Sequence, residues 1–344
     1  MHRSAVVETP GPKLLAVVLL MLVLVSTAGM IVAAGSATAQ TAVEQLVSGV
    51  VRIRAYINPD GRTVGNLGAE RSGTGIVIGS DGLVLTIGYL MVEAQAGEVE
   101  LNDGRKVAAE IVGYDYDTGF GLLRATMPLG VAPVPLGRSA DLKAGDRVLV
   151  AVGGGVERLG PARVAARREF AGYWEYLLEE AIFTSPPYSD WSGAALINRE
   201  GQLVGVGSLV VGDTSGKGAG PPGNMFVPID PLEPILAELI AGGAVSGPAR
   251  PWLGITTDDQ GGTLVVRRTT PGAPADTAGV RSGDRIVRVG QTEPRSLAEL
   301  YRAIWGLGNA GVAVPLEVER DGKRREIEVK SVNRREHLKL DPRL

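Results

Sequence analysis

The sequence predicts a mainly β protein with two folded domains. Domains typically run to roughly 100–200 residues, so a chain of 344 residues suits two of them beside a targeting segment. The chain contains 48 Gly and 21 Pro but only 5% aromatic residues, which favours many short strands joined by turns. Its apolar residues fall in short runs separated by Gly, Asp and Asn, a spacing typical of antiparallel sandwiches and barrels.

Composition excludes several classes of function. The net charge is −3, and the 35 basic and 38 acidic side chains form no long block of one sign, so nucleic-acid binding is not expected. The chain has no Cys, which removes disulfides, thiolate metal sites and a cysteine nucleophile. The sequence also lacks a cluster with metal-ligand spacing, and we expect neither a metal nor another cofactor.

The first 39 residues predict export. An apolar stretch at 14–34 follows Arg3 and Lys13, and residues 37–39 (Ala-Thr-Ala) have the small-x-small form of a signal peptidase site. The stretch is also long enough to span a bilayer, which takes about 20 residues. We therefore expect an extracytoplasmic or periplasmic protein, either soluble after cleavage or anchored in the inner membrane through residues 14–34.

A large β domain is predicted over residues 40–241. Its strand-length apolar runs are 50–56, 73–79, 82–88, 146–154, 194–211 and 224–230. Asp81-Gly82 and Asp103-Gly104 are hairpin-type turn dipeptides. The first clear helical pattern is at 231–242 and stops at Gly242-Gly243.

A second domain is predicted over residues 252–332, after a Gly/Pro-containing linker at 242–251 and before a polar tail at 333–344. Ser296 and Glu299 form a capping box that starts a helix ending near Gly306. The predicted strands include 252–257, 263–268, 284–290 and a closing hairpin around Asp321-Gly322.

This second domain resembles a PDZ domain of the type found in bacterial proteases. The resemblance rests on WLGI (252–255), PGAPADTAGV (271–280), RSGDRI (281–286) and RDGK (320–323). It implies a groove in which the backbone N–H groups of Leu253, Gly254 and Ile255 bind the C-terminal carboxylate of a peptide. The alternative is that the domain only packs on its neighbour, because the sequence does not show whether the groove is open.

The whole arrangement resembles the HtrA/DegP family of exported serine proteases. The motifs in the family's order are VVRI (50–53), SGTGIVIGSDGLVLT (72–86), GYDYDTGFGLLRA (113–125), GDRVLVAVG (145–153), WSGAALINREGQLVGV (191–206) and NMFVPID (224–230). The resemblance implies a two-barrel trypsin-like domain followed by one PDZ domain, and family members commonly assemble as trimers.

The catalytic triad of that family is only partly present. Serine proteolysis needs a hydroxyl, an imidazole that takes its proton, and a carboxylate that orients the imidazole. The family's Thr-Asn-Asn-His-Val aligns with residues 86–90, which places Tyr89 at the histidine position. The chain's only histidines, His2 and His337, lie outside the predicted barrel region. Tyrosine has an unperturbed pKa near ~10, too high for a base at neutral pH.

The other two catalytic segments are also altered. The alignment places Gly119 at the aspartate position, where Asp117, two residues away, could supply a displaced carboxylate. Ser192 is retained at the nucleophile position. The alignment places Asp190 where the family has the glycine whose N–H forms part of the oxyanion hole. An aspartate there restricts the backbone, and its charge opposes a developing negative charge. Losing one oxyanion donor typically costs about 10²–10³ in rate.

An aromatic cluster at residues 170–176, with Glu175, Glu179 and Glu180, is more typical of packing than of a ligand surface. The leading hypothesis is an HtrA-like pseudoprotease that binds unfolded polypeptides, C-terminal peptides or a partner protein without efficient hydrolysis. It would act as an adaptor or holdase in protein quality control, as a homotrimer or in a mixed oligomer with an active HtrA-like protease. The alternative is a serine endopeptidase with residual or unconventional activity that depends on Ser192.

Overall fold

The computed structural model describes residues 43–338. The predicted export segment and the last six residues of the tail lie outside this range. Residues 47–338 belong to one compact unit, which holds all the elements discussed below. In the part of the chain that the structure describes, no helix is long and apolar enough to cross a membrane.

The first six strands close into a barrel in the order β1-β2-β3-β6-β5-β4. They are β1 (Val50–Ile57), β2 (Glu70–Val77), β3 (Leu83–Ile87), β4 (Ala94–Glu100), β5 (Lys106–Tyr114) and β6 (Phe120–Ala125), with the short helix α1 (Val64–Leu67) between β1 and β2. Neighbouring strands are antiparallel, and every residue of β3 is buried. The strand β3 leads directly into the turn that carries Tyr89.

The next six strands close into a second barrel in the order β10-β11-β12-β9-β8-β7. They are β7 (Arg147–Ala151), β8 (Leu159–Gly172), β9 (Tyr176–Ser185), β10 (Ala195–Ile197), β11 (Leu203–Val211) and β12 (Gly223–Pro228). The helix α2 (Glu233–Gly242) follows and ends at Gly243, which has a left-handed backbone. The helix predicted at 231–242 is therefore confirmed.

The C-terminal part is a five-stranded sheet in the order β13-β14-β15-β16-β17. Its elements are β13 (Ile255–Asp259), β14 (Leu264–Thr269), α3 (Pro274–Thr277), β15 (Arg285–Val289), α4 (Leu297–Trp305), β16 (Ala313–Arg320), β17 (Lys323–Lys330) and α5 (Arg334–His337). The side chain of Ser296 accepts a hydrogen bond from the backbone N–H of Glu299 at 3.2 Å, which confirms the predicted cap. The mainly β fold, with two barrels and a PDZ-like sheet, is as predicted.

The two barrels meet at the loop that carries Ser192. The backbone N–H of Thr74 on β2 donates to the carbonyl of Ser192 at 2.8 Å. Gly193 has φ +77°, and an added Cβ there would lie 2.1 Å from the carbonyl oxygen of Thr74. Glycine is therefore required at this contact, whatever chemistry the neighbouring serine performs.

A buried ion pair holds the C-terminal sheet together. Arg320 Nε and Nη2 lie 2.6 and 2.7 Å from the two carboxylate oxygens of Asp284, which is fully buried and also accepts the backbone N–H of Arg281. Burial acts to raise the pKa of Asp284, but the hydrogen bonds and charge of Arg320 outweigh it and hold the pKa below its usual range.

We expect Asp284→Asn to lower the free energy of unfolding by about 3–5 kcal/mol, because it leaves Arg320 without its charged partner. The matched change Asp258→Asn, at a more exposed pair with Arg267, should cost under about 1 kcal/mol. Since the folded-state pKa of Asp284 is lowered, its contribution should be complete above pH ~4 and lost as the pH falls further. Urea unfolding at pH 7 and at pH 3 measures both effects. Equal losses for the two variants would contradict the prediction.

Candidate functional site

The structure brings Tyr89 and Ser192 together. Tyr89 lies in the 3₁₀ turn Gly88–Leu90 after β3, and Ser192 lies in the loop before β10. The tyrosine Oη is 2.8 Å from Ser192 Oγ and 2.9 Å from the carbonyl oxygen of Ser208. A phenol has a single hydroxyl hydrogen, and the carbonyl of Ser208 can only accept a hydrogen bond, whereas the contact with Ser192 joins two hydroxyl groups, either of which can donate. The serine therefore faces a phenol hydroxyl at the position predicted for the imidazole.

The protonation state of Tyr89 does not suit a base. Burial raises the pKa of Tyr89 to about 12, although the hydrogen bond with Ser192 works in the opposite direction. With that pKa, roughly one molecule in 10⁵ carries the phenolate at pH 7. The neutral tyrosine cannot take the proton of Ser192 as an imidazole does.

Gly119 lies beside this pair, since its carbonyl accepts the backbone N–H of Gly88 at 2.7 Å. Its φ is +82°, a conformation that favours glycine. An added Cβ would also lie 3.1 Å from Oη of Tyr176, which donates to the carbonyl of Thr118 at 2.6 Å. The backbone at the predicted aspartate position therefore has a conformation that favours glycine, and the ring of Tyr176 packs against it.

The two neighbouring aspartates are bonded to other groups. The carboxylate of Asp115 accepts the backbone N–H and the hydroxyl of Thr118 at 2.8 and 2.6 Å. Asp117 forms an ion pair with Arg250 at 3.3 Å. Burial raises the pKa of Asp117, and the charge of Arg250 opposes this rise. Neither partner is Tyr89, so the hypothesis of a displaced carboxylate gains no support from these contacts.

Asp190 and His337 also have defined partners. The side chain of Asp190 is 60% exposed and forms an ion pair with Arg158, so its negative charge beside Ser192 is partly balanced. The ring of His337 contacts that of Trp252 at an interplanar angle of 45°, with 5.0 Å between ring centroids, and His337 Nε2 lies 3.3 Å from Arg62 Nη1. It is the only histidine within residues 43–338, and both of these contacts are remote in sequence from the serine loop.

The predicted carboxylate loop of the C-terminal domain does hold a carboxylate. The backbone N–H groups of Leu253, Gly254 and Ile255 donate to the side chain of Glu175, at 3.0, 2.7 and 2.9 Å. Glu175 belongs to the connection between β8 and β9, in the second barrel. Sequence reasoning placed Glu175 in an aromatic cluster and missed this contact. A free peptide terminus at the same N–H groups remains a prediction.

Within the described residues, no group of three or more His, Cys, Asp and Glu side chains could hold a metal ion.

The fold and the two sites define a trypsin-like domain joined to a PDZ domain. Residues 73–206 match the family model for the trypsin-like peptidase domain, and residues 251–331 match the model for the PDZ domain.

The chain is similar to serine proteases of the HtrA type. The chain is 28% identical over 295 residues to the putative serine protease HhoA of Synechocystis sp., covering 76% of this chain and 71% of the relative. It is 29% identical over 279 residues to the periplasmic pH-dependent serine endoprotease DegQ of Escherichia coli, covering 76% and 59%. The HtrA-type protease AlgW, solved with a decapeptide, has a similar fold at 20% identity, with a TM-score of 0.51 over 85% of this chain and 98% of AlgW. These similarities support the HtrA family, and the chain spans between about half and about 70% of the length of such curated relatives.

We expect the Tyr89→His variant to have a kcat/KM at least ~10⁴-fold below that of a serine protease with a complete Ser-His-Asp triad. The reason is that an imidazole without its orienting carboxylate loses about that factor in rate. Adding Gly119→Asp should not restore the rate, since φ +82° and the hydroxyl of Tyr176 oppose the new side chain. Measuring kcat/KM on a quenched fluorescent peptide, with Ser192→Ala in each background, tests this. If the Tyr89→His/Gly119→Asp double variant reached the kcat/KM of a serine protease with a complete triad, position 119 would tolerate a carboxylate and the prediction would be wrong.

Proposed function

We propose that this protein is an exported HtrA-family pseudoprotease that binds polypeptides without efficient hydrolysis. The observation that carries the proposal is the contact of the Tyr89 hydroxyl with Ser192 Oγ at 2.8 Å, because the sequence predicts an imidazole position at Tyr89. Replacing the histidine of a serine-protease triad alone costs roughly 10⁶ in kcat. Here the orienting carboxylate is missing as well, and its position is occupied by Gly119.

Polypeptide binding is supported by the C-terminal domain. Three backbone N–H groups of residues 253–255 converge on one carboxylate, which is the geometry needed for the C-terminus of a peptide. The related AlgW was solved with a decapeptide and with a tripeptide. We propose that unfolded chains, C-terminal peptide segments or a partner protein bind here, in an adaptor or holdase role in protein quality control.

The proposed location is extracytoplasmic. The relative DegQ is described as periplasmic, and the sequence predicts export. Under this proposal, residues 14–34 are either removed with a cleaved signal peptide or kept as an inner-membrane anchor. The assembly would be a homotrimer or a mixed oligomer with an active HtrA-like protease.

The alternative function is a residual endopeptidase that uses Ser192. The same contact favours it in one respect, because the phenolate of Tyr89 would lie within reach of the serine hydroxyl. Below the pKa of about 12, the phenolate fraction rises tenfold for each pH unit. Such an enzyme would therefore be almost inactive at neutral pH.

We expect residues 40–344 to cleave an unstructured protein such as reduced casein no faster than the Ser192→Ala variant at pH 7. The test uses high protein concentration, long incubation and gel analysis of the products. Cleavage that disappears with Ser192→Ala would contradict the pseudoprotease proposal.

The residual endopeptidase predicts a distinct pH profile. The logarithm of the Ser192-dependent cleavage rate should rise with a slope of one between pH 8 and pH 10, and Tyr89→Phe should abolish the reaction. A rate that levels off near pH 7 would instead reveal another base. Circular dichroism at each pH checks that the protein stays folded through the series.

A further inference from the structure

The connection between β8 and β9 lies in the groove of the PDZ domain. Gly172 pairs with Tyr176, so Tyr173, Trp174 and Glu175 form a three-residue hairpin loop. The carboxylate of Glu175 accepts the backbone N–H groups of residues 253–255 and is buried. These donors are the ones predicted to hold a peptide C-terminus.

The hairpin also makes main-chain contacts on both sides of the groove. On the strand side, the backbone N–H of Thr257 on β13 donates to the carbonyl of Tyr173 at 3.0 Å, as when an added strand pairs with a sheet edge. On the helix side, Tyr301 Oη on α4 donates to the carbonyl of Gly172 at 2.6 Å and accepts the N–H of Glu175 at 3.3 Å. The loop therefore lies between β13 and α4.

An apolar side chain of the hairpin fills the base of the groove. Leu177 is buried in the same cluster as residues of the PDZ core, among them Leu253, Ile255, Leu300 and Ile304. Glu175 and Leu177 thus both contact the PDZ domain, one through its carboxylate and the other through its apolar side chain. Together they supply the two features of a C-terminal apolar residue, which are a carboxylate and an apolar side chain.

The choice of residue at position 175 favours a specific role. Three-residue hairpin loops place a residue in the left-handed region, where Gly or Asn is preferred, and Glu175 has φ +58°. Burial also raises the pKa of Glu175, against the opposing effect of its hydrogen bonds with residues 253–255. A glutamate is unfavourable here on both counts, and its contacts with the three N–H groups explain its presence.

Ion pairs connect the hairpin arms to the groove helix. Arg302 on α4 pairs with Glu169 on β8 and with Glu179 on β9. These groups are partly exposed, so salt screens the contacts. The hairpin is thus held by one buried carboxylate site and an outer set of charges.

We propose that the β8–β9 hairpin is an internal ligand of the PDZ groove, so that a peptide with a free α-carboxylate and an apolar last residue binds only when the hairpin leaves. This inference rests on the proposed polypeptide-binding function of the groove. It adds that the groove is occupied in the resting protein, and that Glu175 and Leu177 are the residues a peptide replaces.

The test measures peptide affinity by fluorescence anisotropy on the full chain in non-ionic detergent. The probe is a fluorescein-labelled decapeptide that ends in leucine with a free carboxylate, compared with the same peptide amidated. We expect Glu175→Gln to bind the free-acid peptide at least ~10-fold more tightly than the unmodified protein, because an amide cannot accept the three N–H groups as a carboxylate does. Glu180→Gln, a 65% exposed position on β9, should bind like the unmodified protein.

Hydrogen exchange without peptide provides the second measurement. We expect the amides of residues 253–255 to be protected in the unmodified protein and in Glu180→Gln, and to exchange faster in Glu175→Gln. Unprotected amides in the unmodified protein, or equal peptide affinities for all three proteins, would overturn the internal-ligand proposal. Faster exchange in Glu175→Gln without binding of either peptide would confirm the docked hairpin but overturn peptide competition, and with it the proposed function of the groove.

Discussion

The contact between the barrels at Thr74 and Gly193 is the constraint on which the candidate site depends. The N–H of Thr74 holds the carbonyl of Ser192, while the Thr74 carbonyl leaves no room for a side chain at Gly193 and accepts the hydroxyl of Thr86 at 2.8 Å. This packing requires glycine at position 193 and a backbone carbonyl at position 192, and neither depends on the serine hydroxyl. The presence of Gly193 beside the serine is therefore weak evidence for catalysis.

Tyrosines pack the region where a complete site would place its other catalytic groups. Tyr89 bonds to the serine, Tyr176 approaches the backbone at Gly119, and the ring of Tyr114 would overlap an added Cβ at Gly88. Each ring is large and apolar with one polar atom, so it fills space while its hydroxyl finds a partner or a buried position. Restoring a triad would require more than returning a histidine, because the surrounding volume is already occupied.

The candidate active site and the PDZ groove share one hairpin. Tyr176, which contacts the loop of Gly119, follows Glu175 directly in the chain, and Glu175 occupies the carboxylate loop of the groove. A ligand that displaced the hairpin would therefore act on a segment bonded to the candidate active site.

Local sequence patterns were sufficient for the mainly β composition and for the helix α4, because strand-length apolar runs and the capping box at Ser296 depend on residues close together in the chain. The resemblance to the HtrA/DegP family, carried by the motif order, implied the two barrels and the predicted roles of the positions of Tyr89 and Gly119. The partners of Glu175, Asp117 and Tyr89 depend instead on segments far apart in sequence. The hydrophobic periodicity of the sequence does not predict which loop contacts which groove. A carboxylate is equally compatible with solvent, an ion pair or three backbone N–H groups. Only the packing of the hairpin between β13 and α4 selected the last of these.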